Sequence, residues 1–235
     1  MARFLRPAVG VGAINKSEPY VFMTRHFAYL AAALIMLGVA ATAKAEVILT
    51  ATLTNDQEVT LVPVVPTTST GAPRPMSFGE ATFVLNDTET SLTMNVTIFN
   101  IDVTGTQTSD ANDNLVNAHI HAPGAPGVNA GVVWGFFGAP DNDNNPDNLV
   151  VTPFGSGVGG TFFSVWDVDE GHLGTTLTAQ LSNILNGLAY INFHTVQFPG
   201  GEIRGQIVAV PAPATLALLG IGLAGLGLRR RKRRE

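Results

Sequence analysis

Alternation constrains this chain more than any other feature. Residues 91–101, SLTMNVTIFNI, put Leu92, Met94, Val96 and Ile98 on one side of an extended chain and Thr93, Asn95 and Thr97 on the other. Strand side chains project to opposite faces with period two, so this stretch needs one face in a core. Residues 47–54 repeat the pattern through Val47, Leu49, Ala51 and Leu53, and residues 78–85, 116–122, 131–137, 149–151 and 161–166 read as further strands. Proline and glycine mark the intervals: residues 60–75 hold four prolines, and residues 123–127 are a Pro/Gly loop. Residues 178–186 alone have helical spacing, with Thr178 as cap, Leu181, Ile184 and Leu185 three and four apart, and Gly187 as terminator. Many short strands with one small helix predict an all-β fold, a single antiparallel β-sandwich or Greek-key barrel.

The closing hairpin carries the chemistry. In residues 188–208, LAYINFHTVQFPGGEIRGQIV, Ala189, Ile191, Phe193 and Thr195 point one way, and Tyr190, Asn192 and His194 point the other. Its second strand sends Ile203 and Ile207 to one side and Glu202, Arg204 and Gln206 to the opposite one. The polar faces are expected toward solvent or covering loops. Residues 116–122, VNAHIHA, have the same design, with His119 and His121 sharing a face and Ile120 opposite. If the two polar faces meet, His119, His121 and His194 are candidate metal ligands. Three imidazoles suit copper or zinc and leave a position open. His172, in a polar loop, is a further ligand option. Alternatively, the histidines hydrogen-bond Asn192, Glu202 or loop carbonyls. Glu202 is a candidate partner to orient the His194 ring, and Arg204 to pair with Glu202 or steer anions.

A second ligand-rich stretch is DNDNNPDN, residues 141–148. It begins like an EF-hand loop but has Pro146 where glycine is needed and Thr152 where the bidentate glutamate belongs. A looser calcium site with Asp147, or with Asp110 and Asp113, is the remaining cation option, against a solvated turn. The chain has no cysteine, hence no thiol nucleophile or disulfide. It also lacks a Gly-x-Ser-x-Gly elbow, a phosphate loop and a His-Glu-x-x-His motif.

Both ends read as addressing signals around a central body. Residues 23–45 have a basic start, seventeen residues (27–43) without formal charge, and the small-x-small triplet Ala43-Lys44-Ala45, the mark of a signal-peptidase site. An uncleaved anchor is the alternative, although the apolar run falls short of the ~20 residues of a spanning helix. Residues 1–22 fit no signal layout, so Met23 is the expected true start. At the other end Pro211, Ala212 and Pro213 precede fifteen apolar or small residues, 214–228, and then Arg229, Arg230, Arg231, Lys232, Arg233 and Arg234. Such a basic cluster resists translocation, so it reads as a stop signal that leaves the tail cytoplasmic. The expected division is 1–45 extension and signal peptide, 46–210 β domain, and 211–235 sorting or anchor segment. The body alone has sixteen acidic and two basic residues, near −14, although the whole chain is only −5. That excludes a basic footprint for nucleic acid or anionic lipid.

These stretches carry resemblances. VNAHIHAPGAPGVNAGVVWGFF, the later HTVQFPGGEIRGQI, the opening ATLTNDQEV and the strand FGEATFVLN resemble the CHRD domain of chordin and many exported bacterial proteins. The likeness spans residues 47–208 and implies no settled activity. The tail resembles the PEP-CTERM sorting signal, with Ala212 where the name-giving glutamate belongs. That likeness implies an exosortase-like processing enzyme, passage through the inner membrane, and release to the cell surface or an extracellular polymer matrix. His-x-His in a small acidic β-domain is also similar to the copper site of copper-zinc superoxide dismutases, without their further histidines or disulfide. Three functions follow as expectations: a non-enzymatic exported module binding polymer or surface proteins, a copper-dependent redox enzyme, or a calcium-stabilised adhesion module.

Overall fold

The structure, a computed structural model, describes residues 44–59 and 63–211. The expected signal peptide up to Ala43, and the tail from Ala212 through Pro213 to Arg229, Arg230 and Arg231, lie outside the described residues. No helix among the described residues is long and apolar enough to cross a membrane.

The strands are β1 (Val47–Thr54), β2 (Phe78–Leu85), β3 (Ser91–Phe99), β4 (Leu115–His121), β5 (Val132–Phe137), β6 (Val150–Pro153), β7 (Gly159–Asp167), β8 (Ala189–Thr195) and β9 (Ile203–Ala209). One short helix, α1 (Leu177–Leu185), precedes β8. The strands form one antiparallel sheet in the order β5-β4-β8-β9-β1-β2-β3-β7-β6. The all-β expectation is met, as a single sheet curled into a half-barrel whose two arms face each other like sandwich layers. β5 and β7 stand far apart in the strand order, yet Trp134 of β5 stacks on Trp166 of β7 at 5.4 Å and 3°. Phe136, Phe162 and Phe193 meet edge-on between the arms.

Alternation supplies the inner face. Leu49 and Leu53 of β1, Phe83 and Leu85 of β2, Leu92, Met94 and Ile98 of β3, and Ile191, Ile203 and Ile207 of the hairpin are buried together. Burying such side chains contributes roughly 1.5–3 kcal/mol each before conformational entropy is counted. The helix starts earlier than its spacing suggests. Thr176, not Thr178, is the cap, accepting the Ala179 N–H at 3.3 Å. This shift brings Leu177 into the core beside Ile184 and leaves Leu181 only partly buried.

The outer face of β4, β8 and β9 departs from expectation most. Its polar residues are not in water: His119, His121, Asn192, His194, Glu202 and Arg204 are all buried. The loops that follow β4, β5 and β8 fold over it, so this half of the sheet is covered on both sides.

Candidate metal centre

Two strands bring the histidines together. His119 and His121 stand two apart on β4 and therefore share the outer face. In the β4–β8 register Asn117 opposes His194, His119 opposes Asn192, and His121 opposes Tyr190, so His194 joins the same face one strand over. The ring centroids are 5.0 Å apart for His119–His194, 5.7 Å for His119–His121 and 6.0 Å for His121–His194. One nitrogen from each ring lies within 4.8 Å of the others.

Each ring is held from behind by a backbone carbonyl. His119 Nε2 donates to Ala139 O, His121 Nδ1 to Ala130 O, and His194 Nδ1 to Pro199 O, each at 3.0 Å. A carbonyl only accepts, which assigns the ring protons to those three nitrogens. The inward nitrogens, His119 Nδ1, His121 Nε2 and His194 Nε2, are then bare lone pairs. Two of them face each other at 3.3 Å with no proton left to share, and His121 Nε2 is buried without any partner. Burial holds all three basicities down. His121 and His194 are each lowered to about 4, chiefly by burial, and His119 is lowered for the same reason. The rings are therefore neutral near pH 7, the form that binds metal. A backbone carbonyl on the outer N–H is also the usual way a ligand histidine is oriented.

The covering loops come from residues whose importance the sequence did not signal. Gly135 of β5 is one. A Cβ there would lie 1.8 Å from Pro140 O and 3.1 Å from His119 Cδ2. Its bare backbone lets the loop after β5 settle on the strand edge, where Asn142 N–H reaches Gly135 O at 2.8 Å and Ala139 presents its carbonyl to His119. Gly201 is another, at φ +124, where a Cβ would meet the Glu58 carboxylate and the Asn192 amide nitrogen within 2.7 Å. Glu58, Ala130 and Pro199 lie inside the stretches that carry the CHRD likeness, but no side-chain pattern gave Glu58 or the three carbonyls a role. Tyr190 and Asn192 were legible only as sharing the His194 face.

Glu202 and Arg204 take roles other than those expected. Glu202 makes no hydrogen bond to His194. Its carboxylate accepts from Arg74 Nη2 at 3.0 Å, from Ser77 Oγ and from Thr195 Oγ1. The ion pair is thus Arg74–Glu202, contributed from a proline-rich loop more than a hundred residues upstream. Thr195, expected in the core, turns to this carboxylate instead. Arg204 lies 3.4 Å over the Tyr190 ring and donates to Val128 O at 2.9 Å and Ala125 O at 3.2 Å. The other face of Tyr190 stacks on His121, at 4.8 Å and 2°. Ala130 ties that stack down, giving its N–H to Tyr190 Oη at 3.1 Å and its carbonyl to His121. His172 sits half-buried in a short 3₁₀ turn outside the three-nitrogen cluster.

The Asp/Asn loop spends its oxygens internally. Asp143 is buried, accepting Asn148 N–H at 3.1 Å and the Ser164 hydroxyl. Asn142 Oδ1 accepts Gly135 N–H, while Glu170 gathers the N–H groups of Asn144 and Asn145 and the Trp134 indole. Asp110 and Asp113 lie in a separate loop and bond Ser69 and Thr108. Among the described residues, the cluster with metal-ligand geometry is that of the histidines.

The family model of the CHRD domain matches residues 49–207, about two thirds of the chain. This chain belongs to the CHRD-domain family. All three histidines, Glu202 and Arg204 lie inside the CHRD domain. A second family model, the PEP-CTERM protein-sorting motif, matches residues 209–232 and takes in Pro211, Ala212, Pro213, Arg229, Arg230 and Arg231. The sorting motif follows the domain without a linker: β9 ends at Ala209, and Val210 N–H still reaches Ile48 O at 2.8 Å. A CHRD domain with this motif is an exported protein of the surface type, handled by an exosortase-type enzyme. No curated protein and no solved structure matches the chain.

Proposed function

We propose that this protein is an exported, surface- or matrix-associated CHRD module that holds a transition metal, copper or zinc, on His119, His121 and His194. One observation carries the reading: three neutral imidazoles aim bare lone pairs at one another in a buried site, two of them 3.3 Å apart and one unpartnered. Buried acceptors without a donor are costly, on the order of 1–3 kcal/mol each. A cation among them removes that cost and supplies the missing partner to all three. The rings need no rearrangement, because their outer protons are already fixed on carbonyls. Residues 46–210 form the mature body in this reading, and residues 211–235 hold it in the inner membrane until processing. The metal serves the module as a bound ion, and the body meets extracellular polymer or surface proteins.

Metal content tests this directly. The full chain is exported to a periplasm, purified without chelator and measured by mass spectrometry beside a His119→Ala/His121→Ala variant. Near-stoichiometric copper or zinc, lost in the variant, is expected. A wild-type protein that takes up neither metal even on titration overturns the reading.

A further inference from the structure

We propose that the three-histidine centre selects a singly charged ion, copper(I), over zinc(II) and copper(II), because the protein adds buried positive charge beside it and no anionic ligand. This rests on the metal-centre reading above and names the ion that reading leaves open.

The ligand set is the first ground. The cluster consists of three histidines with no carboxylate and no thiolate, so the ligands neutralise none of the ion's charge. The nearby carboxylates are unsuited to do so. Glu202 is committed to Arg74, Ser77 and Thr195. Glu58 is buried, and that burial raises it to about 7 against the opposing pull of Arg204. Much of its population is therefore uncharged near neutrality.

Arg204 is the second ground. Its guanidinium is 1 % exposed and lies against one face of Tyr190, whose other face stacks on the ligand His121. Both contacts are face-on, so the order is guanidinium, phenol, imidazole. No aspartate or glutamate forms a salt bridge with Arg204 among the described residues; its donors end on the Val128 and Ala125 carbonyls and on Asn129. Its charge therefore stands one stacked ring away from the ligand His121. The repulsion from a fixed charge scales with the charge of the incoming ion, so a dication meets twice what a monocation meets. Desolvation in a buried site penalises the dication more steeply still.

Coordination number is the third. Zinc(II) is almost always four-coordinate, whereas copper(I), a closed-shell ion of low charge, is stable with three nitrogen donors in a plane. Here the donors number three, and all are enclosed: His119, His121 and His194 are 4 %, 8 % and 7 % exposed.

Competition on the full-length chain under anaerobic conditions tests the proposal. Copper(I) is titrated against a chromophoric copper(I) chelator, zinc(II) against a zinc chelator, and zinc-loaded protein is then challenged with stoichiometric copper(I). Copper(I) is expected to displace zinc, with a three-nitrogen shell by X-ray absorption. In Arg204→Gln the copper(I)-to-zinc(II) affinity ratio should fall by about tenfold, as expected for one unit charge across a stacked ring, and Arg204→Lys should restore it. Zinc(II) held as tightly as copper(I), in a four-coordinate shell, overturns this inference and leaves the metal centre standing. Failure to bind either ion removes both. A ratio unmoved in a folded Arg204→Gln protein also overturns it. If that variant does not fold, the wild-type displacement decides alone.

Discussion

Two polar clusters meet at β8, which gives His194 to one and Thr195 to the other, and they are built to opposite rules. Around Glu202 every partner is present: a buried guanidinium, two hydroxyls and a carboxylate that accepts from all three. Around His119, His121 and His194 the outer nitrogens are satisfied and the inner ones are not. The side chains of both clusters are withdrawn from water. The first closes on itself and locks the loop of Arg74 and Ser77 onto the hairpin. The second is rigid but incomplete, and a cation would complete it. Burial and polarity therefore do not distinguish a structural network from a binding site. What does is whether the protein supplies the last partner.

Breaking each cluster should have opposite consequences. The largest effect on stability is expected at the closed one. Glu202→Ala strands a buried guanidinium, and chemical denaturation should show a loss of roughly 3–5 kcal/mol. Metal stoichiometry of the folded fraction should be unchanged. If Glu202→Ala instead abolishes metal binding at full stability, the division between the clusters is wrong.

At the open cluster the loss should be of ligand, not of fold. His194→Ala is expected to weaken metal binding on the order of 100-fold or more, since one donor in three is removed. The metal-free protein should stay within about 1 kcal/mol of wild type, because a repulsive pair disappears along with the packing. Calorimetric titration beside an unfolding curve reads both.

Acid sharpens the comparison. His121 and His194 titrate near 4 when folded and from 6.5 ordinarily, so between these values the unfolded chain binds more protons. Their contribution to stability is complete above pH 6.5 and is lost as pH falls toward 4. Glu58, raised from 4.5 to about 7, holds a proton in the folded state that the unfolded chain has released, and so opposes them across the same range. The two histidines outweigh the one carboxylate, and His119, lowered in the same direction, adds to them, so the slope is positive and stability rises with pH. Denaturation of metal-free protein between pH 4.5 and 6.5 checks it. Glu58→Gln should steepen the slope, and a slope of the reverse sign would contradict the buried neutral histidines.

The smallest effect on metal affinity is expected at Gly135. In Gly135→Ala the new methyl collides with Pro140 O. The loop after β5 must move, at a cost of about 1–3 kcal/mol typical of overpacking. With Ala139 displaced from His119, metal affinity should drop about tenfold, the lower end for loss of an outer partner. A variant that binds metal normally would show that the carbonyl does not hold the ring.

The strands were legible because alternation is a local property. β1 and β2 have the bounds their residues suggest, and β3, β4, β5 and β7 differ by a few residues at their ends. A single core needs nothing beyond one apolar face per strand. The helix was displaced by one residue because Leu177 is apolar and the core had room for it, which a cap preference alone does not register. The histidine pair on β4 was visible as a shared face. That His194 faces it could be posed from the sequence but not decided, since it depends on β4 and β8 being neighbours across some seventy residues. Glu202 and Arg204 were visible as charges on the hairpin, and their pairing was misjudged. Proximity in sequence suggested each other, while Arg74 came from a distant loop and the Tyr190 ring from the neighbouring strand of the same hairpin.

By itself, then, the sequence determined an acidic, all-β body followed by a sorting motif, with a histidine pair on one strand face. These follow from composition and from periods of two residues, which act over a few ångströms. The tertiary structure decided which faces meet, which loops seal them from water, and which polar atoms find a partner. Those outcomes depend on strand order and on carbonyls that every residue carries alike, so no side-chain pattern records them.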